Sequence, residues 1–67
     1  MITITVNGKQ DAVEPRTSVG DYLALKKIDP SVAVVEVNKS IVKKKDYSKT
    51  VLNSNDSVEI LRFVGGG

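Results

Sequence analysis

The sequence contains no cysteine, no histidine and no tryptophan, and its only aromatic residues are two tyrosines and one phenylalanine. Without cysteine there can be no disulfide, no thiolate metal site and no cysteine nucleophile. Without histidine the commonest metal ligand and the commonest general acid or base are gone, so any chemistry would fall to carboxylates, lysines and tyrosines. Sparse aromatics also weaken the case for a nucleic-acid surface, which ordinarily interleaves them with a basic stripe. No long apolar run is present either. The opening "MITITV" alternates instead of forming a basic segment followed by an apolar one, and no later stretch reaches membrane-spanning length. The expectation is a soluble, cytoplasmic protein with no membrane or nucleic-acid partner.

At 67 residues the chain has room for one domain and one core. A chain of this size buries only about 60% of the surface its unfolded form exposes, which disfavours a deep catalytic cleft. Ten basic residues stand against eight acidic ones, a net charge of +2 that selects no partner. The eight carboxylates are scattered, and the lysines at 43 to 45 read as solvated surface.

Ile2, Ile4 and Val6 alternate with Thr3 and Thr5, which predicts a strand, and Asn7-Gly8 is the dipeptide that tolerates positive φ in a tight hairpin. Lys9 to Glu14 returns as a second strand, closed by Pro15. In "TSVGDYL", Ser18 is placed as the N-cap of a helix and Asp21 as its capping-box partner, with Val19, Tyr22 and Leu23 on one face. Gly20 weakens this helix, and Asp29-Pro30 ends it, because a residue before proline avoids the α region. The β-branched run "VAVVEV", residues 32 to 37, predicts a central strand, followed by a turn at Asn38 to Ser40 and a brief strand at Ile41-Val42. A polar connection follows, with Tyr47 and Leu52 as its anchors, then a turn cluster from Asn53 to Ser57. "VEILRFV" alternates as the last strand before the glycines. The order predicts an α+β fold, a mixed sheet of four to five strands packed on one helix.

Three terminal glycines pack nothing and carry a large entropy cost when ordered, so core stability does not account for them. The opening "ITITVNGK", the helix "TSVGDYLALKKI", the strand "VAVVEVN", an aromatic at Tyr47 and the ending "DSVEILRFVGGG" together resemble the ThiS family of sulfur carriers, which have the β-grasp, ubiquitin-like fold. The resemblance spans essentially the whole chain, and its specific part is the short apolar strand running into glycines. Two features depart from the family pattern: Lys26 and Lys27 stand where relatives have a small residue near the helix end, and the lysines at 43 to 45 are unusually basic.

That resemblance implies a β-grasp domain over residues 1–64 and a flexible glycine tail over 65–67. It implies a carrier, not an enzyme, with no bound cofactor and no metal. It further implies that the carboxylate of Gly67 is adenylated by a ThiF-like adenylyltransferase that uses ATP and magnesium. It is then converted to a thiocarboxylate with sulfur from a persulfide donor protein, and the sulfur passes to a ThiG-like thiazole synthase in thiamine biosynthesis. Gly65 and Gly66 make up the tail before Gly67, and the lack of a side chain on Gly66 and Gly67 would let a thin strand thread a buried channel and leave the carbonyl open to attack. The three glycines reach at most about 10 Å beyond Val64, so the partner's active site lies close to its docking surface. If Val58 and Ile60 face the core, alternation turns Glu59, Leu61 and Phe63 outward, and with Val64 they form the expected docking patch. Two other readings of the same pattern remain: a carrier like the molybdopterin-synthase small subunit, and a TGS-like β-grasp module that binds RNA or nucleotide.

Overall fold

The computed structural model of the chain describes residues 1–63; Val64, Gly65, Gly66 and Gly67, and with them the expected tail and one docking residue, lie outside the described residues. Strands β1 (Ile2–Val6) and β2 (Lys9–Val13) form the predicted hairpin, in register from Ile2 opposite Val13 to Val6 opposite Lys9. Asn7 and Gly8 take φ of 50° and 83°, the left-handed conformation that a two-residue turn between right-twisted strands demands.

Helix α1 covers Val19–Leu25 and opens as its sequence dictates. The Ser18 hydroxyl accepts the Asp21 N–H at 3.0 Å and the Asp21 carboxylate accepts the Ser18 N–H at 3.4 Å, closing a capping box. The far end differs from expectation. The helix stops at Leu25, short of the Asp29-Pro30 boundary, because the chain turns through Lys27 at φ 60°. The Lys27 N–H reaches the Ala24 carbonyl at 3.1 Å and the Ile28 N–H reaches the Leu23 carbonyl at 2.8 Å. These are the two bonds of a Schellman cap, built here on lysine in the place glycine ordinarily fills. Ile28 packs back against the core beyond it. Pro30–Val32 then forms a 3₁₀ turn capped by Asp29.

Strand β3 (Ala33–Val37) pairs antiparallel with β4 (Ser40–Val42) through a second left-handed turn, Asn38 and Lys39 at φ 52° and 69°. The last strand, β5 (Ser57–Arg62), runs antiparallel to β3 and parallel to β1. The sheet order is β2-β1-β5-β3-β4. The middle of the five-stranded mixed sheet is therefore β5, and β3, expected there from its apolar run, lies between β5 and the short edge strand β4. Val32 also falls in the 3₁₀ turn, outside the strand, and Glu14 lies just past the end of β2.

One face of the sheet holds the core against α1. Ile4, Val13, Ala33, Val35, Val58 and Ile60 meet Val19, Tyr22 and Leu23 of the helix. The polar connection between β4 and β5 is pinned by Tyr47 and Leu52, both buried as expected. The Tyr47 hydroxyl donates to the Ala33 carbonyl at 2.9 Å, and the Tyr47 carbonyl accepts the Gly20 N–H at 2.9 Å. Val19 N–H to Thr50 carbonyl and Leu52 N–H to Thr17 carbonyl, each 2.8 Å, stitch the same segment across the helix start. Helix and hairpin are tied by side chains. The Tyr22 hydroxyl donates to Asp11 at 2.7 Å and the Lys26 ammonium lies 3.1 Å from the same carboxylate oxygen.

Candidate functional site

The last strand alternates cleanly. Val58 and Ile60 are buried, whereas Glu59 is exposed and Leu61 and Phe63 leave 60% and 64% of their surface in solvent. Among the described residues neither the helix nor a loop covers these two large apolar side chains, so the outward placement expected from alternation holds for Glu59, Leu61 and Phe63. Val64, Gly65, Gly66 and Gly67 follow outside the described residues.

Neighbouring strands extend the patch. Leu61 stands opposite Val34 of β3, and Glu59 stands opposite Glu36, which in turn faces Ile41 of β4, 69% exposed. The outer face thus carries Val34, Ile41, Leu61 and Phe63 beside a directly opposed pair of carboxylates. Like charges in that position weaken a sheet instead of supporting it. Sequence reasoning missed Val34 and Ile41. In "VAVVEV" and "IV" both alternation phases are apolar, so no local signal tells the inner residue from the outer; only the register against β5 does.

The root of the chain end is fixed from two sides. On the β3 side, the Phe63 N–H donates to the Val32 carbonyl at 2.9 Å. On the β1 side, the Asn7 carboxamide donates to the Ile60 carbonyl at 3.2 Å and accepts the Ile60 N–H at 2.8 Å. Sequence reasoning assigned Asn7 to the turn alone; a contact across 53 positions leaves no local trace. The lysines at 43 to 45 are exposed, and the Lys44 ammonium donates to the Ser31 carbonyl at 2.8 Å.

The groups with displaced pKa lie away from this face. Hydrogen bonds from Tyr22 and then Lys26 hold the Asp11 carboxyl below its ordinary value, while burial, with Asp11 adding to it, pushes the Tyr22 phenol up. The Ser31 N–H and hydroxyl lower Asp29. These groups brace the hairpin, helix and 3₁₀ turn. Among the described residues there is no enclosed pocket and no cluster of three or more metal-ligating side chains. No helix among them is long and apolar enough to cross a membrane. What the arrangement offers is an exposed apolar patch on the outer face of β4 and β5, reaching Phe63.

Comparison with known proteins bears on that arrangement. The model of the ThiS family matches residues 4–67. The sulfur carrier protein ThiS of Bacillus subtilis is 35% identical over 65 residues, covering 96% of this chain and 98% of that one. A thiazole synthase of Magnetococcus marinus is 33% identical over 64 residues, which is 96% of this chain and 20% of the synthase. Among solved structures, the thiamine biosynthesis protein (ThiS) of Geobacter metallireducens superposes with a TM-score of 0.82 at 33% identity, covering 98% of this chain and all of that one (100%).

Proposed function

The chain belongs to the ThiS family, and from that membership we propose that it is a sulfur carrier of thiamine biosynthesis whose Gly67 carboxylate is the atom-bearing group. A family match that runs through the glycines, residues 4–67, is the observation that carries this reading. A carboxylate is a poor electrophile, so it must first be activated. An oxygen of the Gly67 carboxylate attacks the α-phosphorus of ATP on a ThiF-like adenylyltransferase, with magnesium, and pyrophosphate leaves. The terminal sulfur of a donor persulfide then attacks the acyl carbon, AMP leaves, and an acyl disulfide results. A thiol attacks the donor-side sulfur of that disulfide, is oxidised to a new disulfide, and releases the thiocarboxylate. The sulfur comes from a partner, since this chain has no cysteine. The cytoplasm, where reduced thiols persist, is the proposed setting.

The thiazole synthase receives the sulfur in this proposal. Its support is the likeness of the chain to one fifth of a thiazole synthase, in which a carrier-like segment and a synthase share one polypeptide. Covalent joining of that kind raises the effective concentration of two modules that work together. Leu61, Phe63, Val64 and Glu59 are the proposed docking residues. An apolar patch ending in the carboxylates of Glu36 and Glu59 suits a partner surface with a basic residue at the matching position, which relieves their repulsion.

The test is the intact mass of the protein after incubation with ATP, magnesium, an adenylyltransferase and a persulfide donor. The expected result is a gain equal to exchange of one oxygen for sulfur, abolished when Gly67 is deleted or when residues are appended after it. No gain with adenylyltransferases that charge their own carriers overturns the reading.

A further inference from the structure

We infer that Asn7 is a positioning residue for this chemistry: its carboxamide closes the β1–β5 ladder and fixes the point from which the chain end departs. The inference rests on the carrier reading above. Strands β1 and β5 pair over a short parallel stretch, Thr5 beside Ser57 and Val6 beside Val58. The main chain supplies the first rungs, Thr5 N–H to Asp56 carbonyl and Asn7 N–H to Val58 carbonyl, each 2.9 Å. In a continuing parallel ladder the Ile60 N–H would meet the Asn7 main-chain carbonyl, and the Ile60 carbonyl would meet the N–H two residues on. Positive φ at Asn7 and Gly8 turns the backbone away before either bond can form. The side chain takes both places instead, accepting at 2.8 Å and donating at 3.2 Å.

Residue chemistry makes the assignment specific. Glycine, aspartate and asparagine all suit the left-handed first position of this turn. Of these only asparagine carries a donor and an acceptor in the geometry of a peptide unit. Beyond Ile60 the described residues place no strand on the β1 side of β5, and the remaining hold is β3, through Leu61 opposite Val34 and Phe63 N–H to Val32 carbonyl. Asn7 is thus the final rung on that side, and from Leu61 to Phe63 β5 is held from the β3 side alone. What Asn7 sets is the placement of β5 in the sheet, and with it how the strand is presented to a partner, where attack on phosphorus tolerates little error.

The experiment measures ATP–pyrophosphate exchange by an adenylyltransferase with the full chain as substrate, comparing wild type, Asn7→Gly, Asn7→Asp and Ser18→Ala. Asn7→Gly keeps the turn and removes the carboxamide. Its kcat is expected to fall about tenfold or more with KM within about twofold of wild type, since the docking face is untouched. Hydrogen exchange at the Ile60 amide should quicken in the same variant. Asn7→Asp retains the acceptor and should recover part of the rate. Ser18→Ala, which weakens the fold at the helix start, should leave kcat unchanged. Wild-type kcat in Asn7→Gly, a loss confined to KM, or an equal loss in Ser18→Ala overturns the positioning role while leaving the carrier reading intact. A wild-type chain that supports no exchange at all, with enzymes active on their own carriers, overturns both.

Discussion

Lys27 is a residue whose conformation runs against its chemistry. A side chain with a Cβ is strained at φ 60°, and glycine is free there. Lys27→Gly should therefore stabilise the protein by about 1 kcal/mol, seen as a higher urea midpoint at unchanged m-value. The same argument predicts a loss for Lys27→Val. Asp11 works through charge. Its carboxyl is held below the ordinary 3.8 in the folded chain, so its contribution is present above that value and is lost as pH falls through the lower folded one. Asp11→Ala should cost about 1 kcal/mol at neutral pH, and the gap to wild type should close on acidification. Tyr22 has the opposite sign: its raised pKa keeps the phenol protonated in the fold, so stability falls as pH rises past the ordinary 10.0 of the unfolded chain.

Among the elements, α1 is seven residues long, too short to persist alone, and depends on its cap and on the segment stitched across its start. Ser18→Ala should cost about 1 kcal/mol in chemical denaturation. Gly20→Ala should do the reverse and add about 0.4–1 kcal/mol, because a Cβ there meets Tyr47 backbone atoms only at 3.5 Å, an ordinary contact, in a residue without positive φ. Elements set by neighbouring residues were legible in the sequence: the Asn7-Gly8 hairpin, the Ser18 and Asp21 capping box, the anchors Tyr47 and Leu52. The helix end was not, since a lysine in the left-handed region gives no glycine signal and Asp29-Pro30 offers a louder stop downstream. Nor was the sheet order. An apolar run marks a strand with neighbours on both sides, and β3 has them, but nothing in "VAVVEV" says that β5 occupies the middle. On β5 itself period-two alternation was enough to turn Leu61 and Phe63 outward; their partners Val34 and Ile41 required the pairing register.

At the scale of the whole molecule the two faces of the sheet have different tasks. One is sealed by α1; the other leaves Ile41, Leu61 and Phe63 open, with Val34 half-buried among them, beside two opposed carboxylates. Such a face is expected to trade stability for association. Glu59→Gln should stabilise the free protein by about 0.2–1 kcal/mol in thermal or urea unfolding, by removing repulsion from Glu36, and should weaken adenylyltransferase binding in titration calorimetry. Leu61→Ala and Phe63→Ala should each leave the unfolding midpoint nearly unchanged, since neither is buried, while raising KM for adenylation several-fold. A midpoint drop as large as that of a core truncation, or unaltered KM in both, contradicts the docking assignment.

The place of β5 bears on how the molecule is made. It is the last of the five strands to leave the ribosome and the one that joins the β1–β2 hairpin to the β3–β4 hairpin. Until it emerges the nascent chain is two unjoined hairpins, each at best marginal in water. A chain truncated by a premature stop before Ser57 lacks the strand that unites them and is left for proteases. Translation thus proofreads itself in part: a folded molecule is one whose message was read at least through β5, up to Arg62.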